Sequence, residues 1–174
     1  MKQHTRRALI LVALVLSALL ASQSVTYAAD PSVSGGGIVD GAVGTTSQLG
    51  FNASSSGGQF LCVMAGRSGG FAFGPWASIQ QMRVEGSVAA GSLIFSGGIA
   101  SFSGTATIHV VGMTPSGDVM TATVPNVPFT SRQTAGGAGV ATHRLEVQLP
   151  SGLVAFPAIP AMARLRSGHI TIRQ

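Results

Sequence analysis

Alternation of apolar and polar side chains with a period of two residues is the feature that most constrains the fold of this chain. From Ser101 to Val110 every second residue is apolar or Gly, and the residues between them are Ser, Thr or His. The same period recurs in the stretches around Leu49, Met82, Met120 and Leu145. A β-strand with one face in the core and one in water has this pattern.

Short turn signals separate the alternating stretches. The clusters begin at Ser55, Ser96, Pro115, Pro150 and Ser167, and all contain the Gly that tight turns between strands favour. Together these features predict an all-β fold, an antiparallel meander of about eight to ten short strands that forms a small barrel or a two-sheet sandwich. Ser167 and Gly168 are predicted to form a hairpin between the last two strands, and 131–141 a mobile Gly/Ala loop.

The first 28 residues match the three-part pattern of a bacterial export signal. Lys2, Arg6 and Arg7 make a positive start, an apolar run covers residues 8–21, and Ala28 is a small residue at the cleavage position. This run is shorter than the roughly 20 residues that span a bilayer. We therefore expect a signal-peptide helix in residues 1–28 and one β domain over 29–174.

The route and destination of export follow from the same segment. Thr5, Arg6 and Arg7 resemble the twin-arginine motif. The apolar run that follows is rich in Leu, Val and Ile, which favours the general secretory route. We expect that route, with the twin-arginine route as the alternative. The expected location is the periplasm, the cell surface or the medium.

Removing the signal changes the composition on which any function must rest. The remaining 146 of 174 residues contain no Lys, seven Arg and five acidic residues, so the net charge falls from +5 to +2. That charge argues against a nucleic-acid partner, which requires a dense basic stripe. No later apolar run is long enough to span a membrane. Cys62, the single cysteine, lies in an apolar run and is predicted to be an inert core residue.

Catalytic and metal-binding motifs are weak in this sequence. Residues 66–70 match G-x-S-x-G with Ser68 at the nucleophile position, but that motif acts on a strand–turn–helix, and a Gly-rich, Pro-containing loop follows here. His109, His143 and His169 lack the close spacing of paired metal ligands. His143 is in phase with the apolar residues of its strand, which predicts a partly buried side chain bonded to backbone. We expect no enzyme activity, no metal and no cofactor.

The Gly-rich loop 67–77 is the first candidate binding site. It carries Phe71, Phe73 and Trp76. Exposed aromatic rings between glycines would stack on sugars or fill a groove of a partner. In the alternative interpretation the three rings fold inward and cap one end of the core.

Three arginines near the C terminus are the second candidate binding site. Arg164, Arg166 and Arg173 lie on or near the predicted last hairpin. If they project from one face, they form a small anion-binding patch for a cell-wall polymer or lipid headgroups. The alternative is a solvated face whose charges keep an edge strand from aggregating.

Six short motifs follow one another along the chain. They are Gly35-Gly36-Gly37, Phe51-Asn52-Ala53, Gly57-Gly58, Val84-Glu85-Gly86-Ser87-Val88, Ala100-Ser101-Phe102-Ser103-Gly104-Thr105-Ala106 and Gly168-His169-Ile170. In this order they resemble the post-COAP-type family of small secreted bacterial β domains. The resemblance implies a β fold and export, and it implies no activity. An acidic D-x-G-x-P-G turn of that family is missing here, and Thr134–Gly139 stands in its place, so no metal or ligand role of that turn is carried over.

Three functional hypotheses follow. The leading one is an exported, non-catalytic β module with a structural or binding role at the cell surface or outside the cell, whose partner is a surface polymer or a protein. The alternative is a small β-barrel carrier of an apolar ligand, because Gly within strands would leave space inside. The third is a hydrolase that uses Ser68 or His143. A carrier requires a deep apolar cavity, whereas a binding module requires a filled core.

Overall fold

A computed structural model of the 174-residue chain describes residues 30–40, 46–68, 76–149, 152–156 and 162–174, with backbone only for 65–68 and 152–156. The predicted signal peptide, 1–28, lies outside the described residues. Every regular element described is a strand. The strands are β1 (Ser32–Asp40), β2 (Thr46–Ser54), β3 (Gly57–Ser68), β4 (Ser78–Val88), β5 (Ile94–Ser96), β6 (Ile99–Met113), β7 (Val119–Thr134), β8 (Gly136–Gly137), β9 (Thr142–Leu149), β10 (Gly152–Phe156) and β11 (Ala163–Arg173). A search of this part of the chain finds no helix able to cross a membrane.

The strands form one antiparallel sheet that closes on itself. Neighbours along the path are β9, β7, β6, β4, β3, β2, β1 and β11. The ring closes where β11 returns to β9, with Ala163 opposite His143 and Arg164 opposite Thr142. The short strands β5, β8 and β10 attach to β6, β11 and β9. The predicted antiparallel all-β meander is therefore confirmed, and the closed ring corresponds to its barrel alternative.

Apolar side chains from alternate positions fill the ring. Phe102, Ala106, Ile108 and Val110 are all buried, as the alternation in this segment predicts. Four phenyl rings pack together in one part of the core, which we call the lower core. The centroids of contacting rings lie between 5.1 and 6.5 Å apart. These rings belong to Phe51, Phe60, Phe102 and Phe129.

Two glycines on the inner face make room for the Phe129 ring. Gly104 of β6 is the cross-strand partner of Phe129, and Gly86 lies on the adjacent strand β4. A Cβ atom on Gly86 would lie 2.7 Å from Cε1 of Phe129. A Cβ atom on Gly104 would collide with the carbonyl oxygen of Ser87. Any larger residue at these positions would displace the ring or the neighbouring strand.

A bulge in β11 replaces the hairpin that the sequence predicts. Ser167 and Gly168 lie within one continuous strand, so the predicted hairpin is wrong. Gly168 has a φ of 102°, and the pairing with β1 shifts between Ile38 and Val39. A β-bulge and a tight turn both use a Gly with positive φ, so the local sequence signal is the same.

A second bulge divides β7 into two halves of opposite phase. Asn126 has a φ of 57°, and the pairing with β6 shifts beside it. Ser131 and Gln133, predicted to begin a mobile loop, belong to the second half of β7 and are buried. In the first half Met120 is 43% exposed. The strand is 16 residues long, longer than the short strands that the sequence predicts. Because the alternation changes phase at the bulge, the sequence alone does not show that the two halves form one strand.

The positive φ of Gly168, beside the bulge in β11, yields a direct test of this fold. Gly168→Ala is expected to lower the free energy of unfolding by roughly 3 kcal/mol, because an L residue is strained at this φ and its Cβ would collide with the Gly36 carbonyl oxygen. Gly50→Ala is the matched control, since a Cβ there meets nothing within 4 Å. It should change stability by less than about 0.5 kcal/mol in urea denaturation. Equal effects of the two variants would contradict the bulge.

Candidate functional site

Trp76 is the one member of the predicted aromatic site that falls within the described residues, since Phe71 and Phe73 lie outside them. Its side chain is 5% exposed. The indole packs on Gly112, where a Cβ would collide with the ring, and its Nε1 donates a hydrogen bond to the Met120 carbonyl oxygen at 3.2 Å. Trp76 is therefore a core residue that joins the start of β4 to β6 and β7, as the inward alternative describes.

Arg173 lies apart from the other two arginines of the second predicted site, Arg164 and Arg166. Arg164, Arg166 and Arg173 are all exposed. Arg166 forms an ion pair with Asp40 at 3.2 Å. Arg173 lies at the far end of β11, about 23 Å from Arg166 at about 3.3 Å per residue. Their arrangement fits the solvated-face alternative.

A group of buried polar side chains lies inside the ring instead. His143 of β9 and Gln133 of β7 are cross-strand partners and are 1% and 0% exposed. Gln133 Nε2 donates a hydrogen bond to Ser131 Oγ at 2.6 Å. Gln133 Oε1 and both ring nitrogens of His143 have no partner among the described residues. Sequence analysis missed this group because it treated Ser131 and Gln133 as loop residues.

His143 behaves as an aromatic core residue. Its ring stacks at 6.4 Å from Phe51 and 6.1 Å from Phe60. Burial lowers its pKa to about 3, because a charged imidazolium would lose its hydration in this apolar surrounding. The expected backbone hydrogen bond is not formed, and the side chain is fully rather than partly buried.

Cys62 and Ser47 form a second buried polar contact. Burial raises the pKa of the Cys62 thiol to about 12, and the hydrogen bond with Ser47 opposes this rise only in part. Since the thiolate is the reactive form, this shift disfavours reaction at Cys62, which is buried in the core as predicted. Both residues line an interior cavity of about 10 Å³, the room that one water molecule needs.

Ser68 ends β3 opposite Ile79, and its side chain lies outside the description. Across the described segments, no three His, Cys, Asp or Glu side chains are grouped as metal ligands.

A groove crosses the outer face of the barrel from β9 to β2. It consists of three adjoining depressions of about 520, 230 and 310 Å³. Ser87 and Thr105 line both the first and the second, and Gln59 and Glu85 line both the second and the third. The groove passes over six strands, so its length is about 24 Å at a strand spacing of about 4.8 Å. We call this feature the outer groove.

The outer groove has a mixed lining with little net charge, and apolar groups predominate in its first depression. Its hydroxyl and amide side chains belong to Asn52, Gln59, Ser87, Ser103, Thr105, Thr107, Asn126, Thr130 and Gln148. Such groups both donate and accept hydrogen bonds. Its two carboxylates each pair with an arginine at 2.8 Å, Glu85 with Arg83 and Glu146 with Arg144. The groove therefore offers many neutral hydrogen-bonding groups and little net charge.

Three glycines lie in the lining of the outer groove. Gly86 and Gly104, beneath which the Phe129 ring packs, belong to the lining of its first two depressions. At the β2 end Gly50 lies between the buried Leu49 and Phe51, so it faces outward over open space. The outward polar residues are visible in the sequence, but their alignment into one groove depends on the register between six strands.

No family model, curated protein or solved structure matches this chain. Within the described residues, the first and last motifs of the family resemblance lie side by side. Gly35 pairs with Ile170, Gly36 with His169 and Gly37 with Gly168.

The buried imidazole predicts a specific pH dependence of stability. Between pH 6.5 and about 3 the unfolded chain binds a proton at His143 that the folded chain does not. The stabilisation is complete above pH 6.5 and is lost as the pH falls, by about 1.4 kcal/mol per pH unit. His143→Phe retains the ring packing without the titration. The difference in unfolding free energy between wild type and this variant should therefore change by that slope in urea denaturation from pH 6 to pH 4.

His109→Gln is the matched control for this measurement. His109 is exposed, and its Nδ1 forms a hydrogen bond with Thr123 Oγ1 at 3.1 Å. This variant measures how the replacement of a surface histidine affects the same profile. A constant difference between wild type and His143→Phe across the range would show that His143 titrates equally in the folded and unfolded states, against the burial described here.

Proposed function

We propose that this chain is an exported, non-catalytic β-barrel module that binds an uncharged, hydroxyl-rich polymer, such as a cell-surface polysaccharide, along the outer groove. The observation that carries the proposal is the continuous line of neutral hydroxyl and amide side chains across six strands. Sugar hydroxyls donate and accept hydrogen bonds in the same way as these side chains.

The form of the groove favours a polymer over a small molecule. It is a surface trough about 24 Å long, so an extended chain would contact all six strands at once. A single hydrogen bond contributes only about 0.5–1.5 kcal/mol net. Binding through such contacts therefore requires many of them, which a polymer provides and a single sugar does not. Since Glu85 and Glu146 are already paired with arginines, the groove has no strong preference for a charged chain.

The filled interior supports a binding role on the outside. The phenyl rings of the lower core and the His143 ring occupy the space that a carrier would need. Within the described part of the barrel the interior cavity at Cys62 measures about 10 Å³, far below the roughly 300–1,000 Å³ of ligand sites. The buried, neutral His143 supports the non-catalytic part of the proposal.

Export and family membership belong to the same proposal. Both rest on the sequence: the three-part pattern of residues 1–28, and the ordered motifs of the post-COAP-type resemblance. The direct pairing of Gly35–Gly37 with Gly168–Ile170 supports the idea that these motifs form one structural unit. A site in the periplasm, at the cell surface or outside the cell is where a polysaccharide-binding module would meet its partner.

Filling the floor of the groove tests the binding proposal. Gly50→Tyr places a ring over open space at the β2 end of the outer groove. We expect at least a tenfold loss of affinity, about 1.4 kcal/mol, with unchanged thermal stability. Affinity electrophoresis through gels that contain a soluble β-glucan, a mannan or a galactan measures the retardation, and an anionic alginate gel tests for charge.

Gln81→Tyr is the matched control, because Gln81 is exposed on β4 and lies outside the groove lining. It should bind as the wild type does. The proposal fails if none of the neutral polysaccharides retards the wild-type protein, or if Gly50→Tyr and Gln81→Tyr migrate alike in a gel that does.

The export route has its own test. Replacing both arginines of the motif, Arg6→Lys with Arg7→Lys, keeps the positive charge and removes the twin-arginine signal. We expect unchanged export in a bacterial host, because the apolar run suits the general route. Mass spectrometry of the exported product should find Ala29 at the N terminus. Loss of export in the double variant would assign the twin-arginine route instead.

A further inference from the structure

The first half of β7 has a hydrogen-bonding edge that no described strand covers. Residues 119–124 pair with β6 on one side. On the other side, β9 pairs with β7 only between Phe129 and Gln133. The uncovered residues lie before the bulge at Asn126, where the staggered strands of the ring leave β7 without a second neighbour. We call residues 119–124 the open edge.

The ladder of the β6–β7 hairpin identifies the backbone groups that point away from β6. The Thr114 N–H donates to the Asp118 carbonyl oxygen at 2.9 Å, so these two residues form a hydrogen-bonded pair. Hydrogen-bonded and non-hydrogen-bonded pairs of residues alternate along an antiparallel ladder. Residues 120, 122 and 124 therefore bond to β6. The residues whose backbone N–H and C=O groups point away from β6 are Val119, Thr121 and Thr123.

The open edge lacks the usual protection against pairing. Edge strands of soluble proteins normally carry Lys, Pro or a bulge, or they are very short. Residues 119–124 contain no charged residue and no Pro, and they are rich in the β-branched residues that strands favour. Val119 is 68% exposed and Met120 43% exposed. The protective features stand only at the two ends, Asp118 and Pro125.

We propose that the open edge pairs with the open edge of a second copy of this chain, forming an antiparallel dimer with two-fold symmetry. A two-fold axis at Thr121 places this residue opposite its own copy and Val119 opposite Thr123. In this register every N–H and C=O group of the open edge that points away from β6 forms a hydrogen bond with the second copy, about six bonds in all. It also keeps the outer faces of both chains on the same side.

The open edge fits a second copy because it is complementary to itself. On the inner face Met120 lies opposite Ala122, and on the outer face Thr121 lies opposite Thr121, a pair that strands favour. The absence of charge in residues 119–124 means that two copies do not repel each other there. Asn126 and the residues after it, which line the outer groove, lie beyond the paired segment. The dimer is therefore independent of the proposed polymer binding.

Sedimentation equilibrium over a hundredfold concentration range tests this proposal. We expect a monomer–dimer equilibrium for the wild type and at least tenfold weaker association for Thr121→Lys, since the two-fold axis sets like charges opposite each other. Gln81→Lys is the matched control, because Gln81 is exposed but its strand is paired on both sides. It should associate as the wild type does.

A charge-pairing experiment tests the register and does not depend on the stability of one variant. Equal amounts of Thr121→Lys and Thr121→Glu are expected to form a heterodimer, while each variant alone associates at least tenfold more weakly than the wild type. A wild-type protein that is monomeric at every concentration would overturn the proposal. So would association of Thr121→Lys equal to that of Gln81→Lys, or failure of the two charged variants to associate when mixed.

Discussion

The packing of the Phe129 ring against two glycines on the inner face of β4 and β6 links the interior of this barrel to its surface. Gly86 and Gly104 have no side chain to compete with the ring, and each admits a neighbour that a Cβ would exclude. Inside, the ring completes the aromatic cluster that fills the lower core. Outside, the same glycines contribute to the outer groove. The same two glycines therefore take part in both the packing of the interior and the lining of the outer groove.

The packing of the interior contributes to the stability of the chain, whereas the functions that we propose belong to its outer surface. The interior accepts polar groups at a cost in stability, because the bonds that His143 and Gln133 leave unmade cost about 1–3 kcal/mol each. These groups have no access to solvent, so their chemistry is confined to the core. The surface, in contrast, presents neutral hydroxyl and amide groups on one face and an unprotected strand edge on another. The functions that we propose, polymer binding and self-association, both belong to that surface.

Local patterns predicted the strands wherever the alternation keeps one phase. The buried residues around Phe102 and Leu145 follow from the sequence alone, because inward positions there are spaced by two without interruption. The bulges beside Asn126 and at Arg166 reverse the phase, and the sequence cannot distinguish such a reversal from a turn. The outer groove and the His143–Gln133 contact depend on register between distant strands, which no local pattern contains. Trp76 was recognised as a candidate, but only its packing on Gly112 decides that it is buried.

The most direct test of this account is a double-mutant cycle between Gly86 and Phe129. Gly86→Ala alone should destabilise the fold by about 2 kcal/mol, because its Cβ would lie 2.7 Å from the Phe129 ring. In a Phe129→Leu background the ring is gone, so the same change should cost at least about 1 kcal/mol less. Urea denaturation of the four proteins gives this coupling energy. A coupling of that size supports the packing of the Phe129 ring against Gly86 that fills the core, and strictly additive effects would contradict it.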